Sequence, residues 1–397
     1  MSTPQIQRST IGLAMIVRDE AEVIERCIDS VREHIDYWVI CDTGSVDGTQ
    51  DVIKKALADL PGELHEREWV DFGHNRTELM KLARGKADYL LLLDADWTIT
   101  VEPGALDHLA ADSYMVRHSG EFEFHNKRLV RGDRDWWFVG AAHEYIESEG
   151  EETVERLEGV VIDHWADGGA RKGRWTRDAE LLQAEIDSEP ENARAVFYLA
   201  QTYRDLGDAQ RAIELYRQRA GMGGWEEEVY YSLHQVGVLN AEQGDWPTAM
   251  DALVSAWESR PQRLEALYEL ASRLRLRHQY RAAYQFARIA EGLEPLLVPD
   301  DSLFVAPWIY RWGLLFEYSI SAYWVGELGH AFAACQRLLK LDDLPDPYRK
   351  QTRENQAHTV RAMAAREGRI RPAPPARASS STGGRVWTRP SDASTTR

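Results

Sequence analysis

The feature that most constrains this chain is a repeat. "LAQTYRDLGDAQRAIELYRQ" (199–218), "GVLNAEQGDWPTAMDALVSA" (237–256), "ASRLRLRHQYRAAYQFARIA" (271–290) and "ISAYWVGELGHAFAACQRLL" (320–339) share one pattern, in which Ala212, Ala249, Ala283 and Ala331 align. The first two steps are 37 and 34 residues; the last is longer and holds a Pro-containing insertion near 295–307. A small residue returning once per period marks where two helices touch. Each copy is then a helix-turn-helix unit that buries its apolar face only by stacking on its neighbours.

A period of this length is the signature of a tetratricopeptide-like solenoid, placed here over 171–345. The alternative is a nonrepetitive helical bundle. A terminal helix is expected over 346–370. The stretch 371–397, rich in Pro, Ser, Thr and Gly, reads as a disordered tail.

The first 170 residues follow another rule. "TIGLAMIV" (10–17), "YWVIC" (37–41) and "YLLLL" (89–93) are short apolar, strand-like runs. Between them, 20–34, 45–59 and 75–86 carry helical spacing, as in Val23, Ile24, Cys27, Ile28 and Val31, with Ser45 the expected N-cap of the second helix. Strand alternating with helix predicts an α/β domain, 1–170, with a mostly parallel sheet covered on both faces. The leucines of "LLLLDADW" (90–97) do not alternate with polar residues, as befits a central strand buried on both sides.

Composition narrows the function classes. The net charge of −18 argues against a nucleic-acid partner, which calls for a basic patch. Cys27, Cys41 and Cys335 are scattered and lack CxxC spacing, so neither a disulfide framework nor a zinc site is expected. The opening "MSTPQIQRST" has no apolar signal region, and no apolar run reaches the roughly 18 residues of a membrane span. A cytoplasmic protein with no membrane association is the expectation.

In a parallel α/β sheet, ligands bind beyond the carboxyl ends of the strands. "VRDEAE" (17–22) follows the first strand, "CDTGSVDGT" (41–49) the second and "DADW" (94–97) the third, so all three bring aspartates to one edge. Hard cations such as Mg2+ or Mn2+ use oxygen ligands, often one or two carboxylates completed by phosphates and water. Asp94 and Asp96 suit that role, since i and i+2 on a strand point the same way. A second DxD, Asp133-Arg134-Asp135, has no strand before it.

"LAMIVRDEAEVIERCIDSV" followed by "VICDTGSVDGT" resembles the opening of family 2 glycosyltransferases of the GT-A fold, and "HNRTELMKLARGKADYLLLLDAD" resembles the family's next block. The likeness is good over about 10–100 and thins toward 170. There "WWFVGAAHEYI" and "VIDHWADGGARKGRW" resemble a subgroup with tetratricopeptide repeats behind the catalytic domain, the SunS-like peptide glycosyltransferases among them.

The resemblance implies a UDP-sugar donor and a cation, Mn2+ or Mg2+, neutralising the diphosphate as it leaves. It makes Asp96 the direct metal ligand, with Asp94 nearer the ribose, Ala95 between them and His164 completing the metal shell. It has Asp42 read the base, through the imide N–H of uracil, with an N-terminal cap in "DTGS" as the competing role; Gly44 permits the turn. Val17, Arg18 and Glu20 line the nucleotide, and Asp19 departs from the asparagine that family members often have. Asn75 and Arg76 match an Asn-Arg pair near the donor, Arg76 pairing with phosphate or with a surface carboxylate.

Arg171, Lys172 and Arg174, in a loop with Gly168, Gly169 and Gly173, would hold the diphosphate. An inverting transfer needs a base for the acceptor. Glu144, with His143 beside it, is the candidate; Asp135 and Asp163 are the weaker ones, and positioning without proton transfer is the competing role. One of Trp97, Trp136, Trp137 and Trp165 is expected as a sugar or acceptor platform.

The expected activity is thus a metal-dependent, inverting hexosyl transfer from a UDP-sugar to a peptide or protein acceptor presented to the repeats; homodimerisation through the repeats is the other use they allow. Two alternatives differ in class. One is a nucleotide-binding repeat scaffold without turnover, disfavoured by the intact Asp42, Asp94 and Asp96. The other is a nucleotidyltransferase, disfavoured because "MIVRDEAEV" has no glycine-rich loop.

Overall fold

A computed structural model describes residues 8–119, 124–165, 167–168, 173–292, 298–299, 303–366 and 368. Arg171, Lys172, Gly169 and the 371–397 segment lie outside the described residues, and so does the side chain of Arg174. The chain forms two compact units, Met1–Thr202 and Tyr203–Arg397.

The N-terminal unit alternates as its sequence pattern predicts. It runs β1 (Ile11–Val17), α1 (Ile24–Val31), β2 (Tyr37–Asp42), α2 (Thr49–Ala56), β3 (Gly62–Glu66), α3 (Phe72–Ala83) and β4 (Tyr89–Leu92). Then come β5 (Trp97–Val101), β6 (Ser113–Ser119), β7 (Phe124–Arg131), β8 (Trp136–Val139), β9 (Tyr145–Ser148) and β10 (Val154–His164). The main sheet has the order β3-β2-β1-β4-β7-β6-β10-β5. Its first four strands are parallel; β7 joins antiparallel to β4, making the sheet mixed. The two remaining strands, β8 and β9, form an antiparallel ribbon.

The sheet is double-faced because its side chains alternate between two cores. Ile11, Leu13, Met15 and Val17 pack with Ile24, Cys27, Ile28 and Val31 of α1, and Leu91 and Leu93 join them. Ala14, Val39, Leu90 and Leu92 pack on the opposite face with Leu79, Met80 and Ala83 of α3. The unbroken leucine run therefore feeds both layers.

Two local expectations shift. The second helix begins at Thr49, with left-handed Gly48 at its N-cap, rather than at Ser45. Ser45 instead accepts the Asp19 N–H on its Oγ at 2.9 Å. The β4 strand ends at Leu92, so Asp94 and Asp96 lie in the turn joining β4 to β5 and not on a strand continuation. Strand alternation therefore does not fix how they point.

The helices are α4 (Arg174–Ser188), α5 (Ala193–Asp205), α6 (Ala209–Met222), α7 (Glu226–Glu242), α8 (Trp246–Ser259), α9 (Glu265–Leu276), α10 (Tyr280–Ala287), a single turn α11 (Ile289–Gly292), α12 (Leu314–Val325), α13 (Leu328–Leu339) and α14 (Asp346–Arg366). The first of these, and α5 up to Thr202, belong to the N-terminal unit although their pattern is helical from residue 174 on. Side chains tie them there: Glu185 accepts the Ala141 N–H at 3.0 Å, and Tyr198 stacks on His143 at 4.2 Å.

The repeats close with one recurrent turn. A residue in the left-handed region sits at Gly207, Gly244, His278 and Gly326. The next N–H bonds back to the carbonyl of Tyr203, Asn240, Leu274 and Ala322 respectively, each at 2.9 Å. The aligned alanines are all fully buried on the second helix of each pair. At Gly237 of α7 a Cβ would come within 2.5 Å of Leu253 of α8, so that pair packs too closely for any side chain there.

Candidate active site

The carboxyl ends of β1, β2 and β4 share one edge, since Val17 is paired with Asp42 and Ala14 with Leu92. Asp42 is almost fully buried. Its Oδ1 accepts the N–H groups of Gly44 (2.9 Å) and Ser45 (2.8 Å), and Gly44 supplies the positive φ that the turn needs. Its Oδ2 is buried and accepts no hydrogen bond among the described residues. Val17 turns its carbonyl to the N–H of Thr43 at 2.9 Å, locking the two strand ends together.

The loop after β1 is braced from the same turn. Asp19 has φ +54°, in the left-handed region where Asn and Asp are best tolerated, and its Oδ1 accepts the Val46 N–H at 2.8 Å. Glu20 is buried, and its main-chain N–H donates to Thr49 Oγ1 at 2.8 Å. A Cβ on Gly168 would lie 2.8 Å from Glu20 and 3.3 Å from Asp96, so Gly168 packs closely against these two acids. Arg26 holds it through Asp167, at 2.6 and 2.9 Å, and covers the exposed ring of Trp165 at 4.8 Å. Arg18, half exposed beside Asp19, adds a cation at the rim.

Arg76 lies inside the fold. Its guanidinium meets Asp94 Oδ1 at 2.5 Å and Glu144 Oε1 at 2.7 Å. Burial works against its charge, but the two carboxylates outweigh that and raise its pKa. Burial likewise disfavours the Asp94 anion, yet Arg76 and Arg128 hold its pKa below the usual carboxylate range. Glu144, the sequence-based candidate for the base, thus has its carboxylate engaged by Arg76. Asn75 is turned back onto the segment before α3, its Oδ1 taking the Val70 N–H and its Nδ2 giving to Glu68 O, both at 2.9 Å. His143 has φ +54° and stacks on Tyr198. The alternative carboxylates are held elsewhere: Asp135 pairs with Arg84 at the surface and Asp163 accepts from Ser119.

On the far side of the Asp94–Asp96 turn, β10 delivers His164 beside Trp97, its register partner. Asp96 O accepts the Trp165 N–H at 3.2 Å, tying the end of β10 to this turn. The His164 ring lies 4.5 Å from that of Trp97, and its Nε2 shares a 2.7 Å hydrogen bond with Nδ1 of His118 on β6. Burial pushes the His118 pKa down to about 3, with Arg128 and His164 adding to the effect, so His118 is neutral at physiological pH. Ala95 is buried between the two aspartates. Among the described residues no three Asp, Glu, His or Cys side chains gather as a metal cage. A hard cation shared with a diphosphate does not require one.

Two contributors escaped the sequence reading. His118 lies in an ordinary alternating strand, "SYMVRHS", and nothing in its spacing sets it apart. Arg128 lies on β7 where the pairing with β6 slips: Tyr114 faces Leu129, while Met115 faces Lys127. Arg128 is the extra residue of that bulge, and its guanidinium covers the Trp97 ring at 4.5 Å.

Residues 13–114, from β1 into β6, match the family described as Glycosyl transferase family 2. The N-terminal segment carries a family 2 glycosyltransferase domain. This domain, with its GT-A-like mixed sheet, is followed by tetratricopeptide-like helix pairs. A TPR repeat-containing protein of Synechococcus elongatus is 29% identical over 314 residues, covering 72% of this chain and 76% of its own. The SPbeta prophage-derived glycosyltransferase SunS of Bacillus subtilis is 23% identical over 222 residues, and the chain spans about half of its length (52%). Among solved structures, the TPR protein YrrB aligns with 49% of this chain and 87% of its own, at 16% identity and a TM-score of 0.36. No helix among the described residues is long and apolar enough to cross a membrane.

Proposed function

We propose that the family 2 domain transfers a sugar, with inversion, from a UDP-sugar to an acceptor, assisted by Mn2+ or Mg2+. The observation that carries this reading is Asp42. A buried carboxylate oxygen with no partner is costly unless a ligand supplies a donor. The imide N–H of uracil is such a donor, and Val17, Arg18, Glu20 and Gly44 are proposed to line the nucleotide. The other Asp42 oxygen, held by Gly44 and Ser45, fixes the carboxylate plane.

The cation would be held by Asp96, with Asp94 and His164 beside it, and would offset the charge that develops on the leaving diphosphate. His118 orients His164, and Arg76 fixes Asp94. Glu144, bound to Arg76, sets that guanidinium in place; a proton-accepting role for it requires exchange of the Arg76 contact, and His143 stands next to it. Arg171 and Lys172 are proposed to hold the diphosphate. The helical repeats are proposed to receive a peptide or protein acceptor, a use that suits the extended surface of a solenoid, or to pair two copies of the chain.

The test is release of UDP from a panel of UDP-sugars, with and without Mn2+, in the wild type and the Asp96→Ala and Asp42→Asn variants. Metal-dependent release abolished by Asp96→Ala supports the transferase. Absence of release from every sugar nucleotide, with no thermal shift by UDP, leaves a repeat scaffold. Mass spectrometry of co-expressed proteins then identifies the acceptor.

A further inference from the structure

Arg128 is a buried guanidinium with no ion-pair partner among the described residues; Asp94 acts on it only at a distance. Its Nε is buried without a hydrogen-bond partner, and no carboxylate among the described residues lies within ion-pair distance. The nearby acids are already committed: Asp94 and Glu144 both bind Arg76, at 2.5 and 2.7 Å. Burial draws the Arg128 pKa down to about 10, Asp94 opposing and Arg76 adding to the fall, so the group is still a full cation at neutral pH. A buried cation is normally paired. One left without a partner beside other candidate site residues points to an anionic ligand.

Its position agrees. Leu91 of β4 faces Leu129 of β7, so in the same register Arg128 lies level with Leu92, two residues before Asp94. A β-bulge is a device for re-aiming one side chain beside a site, and here it sets the guanidinium over Trp97, the first residue after the Asp94–Asp96 turn. The carboxylates of that turn repel a diphosphate. A divalent cation offsets part of this repulsion, and a planar guanidinium fork, matched to two phosphate oxygens, offsets more.

We propose that Arg128 binds the diphosphate of the nucleotide donor. This rests on the transferase reading above. It adds a cation that belongs to the sheet and is distinct from Arg171 and Lys172.

The experiment is calorimetric titration of the full chain with uridine, UDP and inorganic pyrophosphate, with Mn2+ and with a chelator, in wild type, Arg128→Gln and Arg128→Lys. Arg128→Gln should weaken UDP and pyrophosphate by about 10–100-fold, the scale of a charged hydrogen bond lost, and leave uridine unchanged. Arg128→Lys, which keeps the charge without the fork, should fall between. Unchanged UDP and pyrophosphate affinity in Arg128→Gln overturns the proposal. So does an equal loss for uridine, which would mean that Arg128 merely supports Trp97. If Arg128→Gln fails to fold, the UDP-to-uridine affinity ratio of Arg128→Lys decides instead, an unchanged ratio overturning the proposal. A wild type that binds pyrophosphate but neither uridine nor UDP refutes the donor reading, while loss of pyrophosphate in the variants still upholds an anion site. A wild type that binds none of the three overturns both.

Discussion

Both units bury arginines, and they treat them differently. In the repeats, Arg263 reaches Glu265 at 3.0 Å and the carbonyls of Leu303 and Phe304 at 3.1 and 3.2 Å. Glu265 in turn accepts from Tyr230 (3.2 Å), Tyr310 (2.9 Å) and the Ala306 N–H (3.0 Å). Arg219 and Glu228 pair in the same way at 2.8 Å, both almost wholly buried. In the family 2 domain, Arg76 is ion-paired with Asp94 and Glu144, whereas Arg128 and Asp42 Oδ2 have no partner among the described residues. A buried charge with every partner inside the protein is scaffolding. One with no partner among the described residues is, on the proposal above, kept for a ligand.

That contrast can be broken by substitution. Glu265→Ala strands Arg263 in the interior and should destabilise the repeat unit by about 3–5 kcal/mol while leaving UDP affinity intact. Thermal unfolding read beside nucleotide titration checks it; a lost UDP response in a folded variant would refute the separation of roles. Asp42→Asn keeps an oxygen for Gly44 and Ser45, so stability should hold. UDP affinity should fall by about 10–100-fold, because the amide no longer presents a charged acceptor. An Asn variant that unfolds early would show the carboxylate to be structural.

The repeat turn offers a finer comparison. Gly207, Gly244 and Gly326 occupy left-handed positions without strain, whereas His278 holds φ +60° at the same place. Gly244→Ala should cost about 1 kcal/mol. His278→Gly should gain somewhat less than that, because it forfeits the hydrogen bond with Tyr280. Denaturant titration of the two variants should show opposite signs.

The smallest effect is expected at the sheet edge. Glu63 is drawn down to about 2 by hydrogen bonds from Lys86 and Tyr37, against the pull of burial, with His65 helping. Its folded pKa lies below its unfolded one, so its contribution is complete above about pH 4.5 and disappears as pH falls toward 2. The pair is partly exposed, so this amounts to less than about 1 kcal/mol. Acid titration of stability in Glu63→Gln should lack that slope.

The sequence was most legible where periodicity carries the signal. The aligned Ala212, Ala249, Ala283 and Ala331 announced the helix pairs, and the apolar runs at 10–17, 37–41 and 89–93 announced three parallel strands, because burial on one or both faces dictates residue type directly. Legibility faded after residue 100. There β6, β7 and β10 mix polar and apolar residues on a mixed sheet; earlier in the chain β3, "GELHE", is half polar and went unread.

By itself the chain determined the two architectures, the edge where Asp42 and Asp94 emerge, and the Gly44 turn, all of which follow from local spacing and backbone sterics. Tertiary structure alone decided which charges were spent. It coupled Arg76 to Glu144, seated His164 against His118, tied α4 and the start of α5 into the N-terminal unit and left Arg128 with no ion-pair partner among the described residues. Each of these depends on where strands far apart in sequence come to lie side by side, and on one extra residue in β7 that turns a strand arginine toward the Asp94–Asp96 turn.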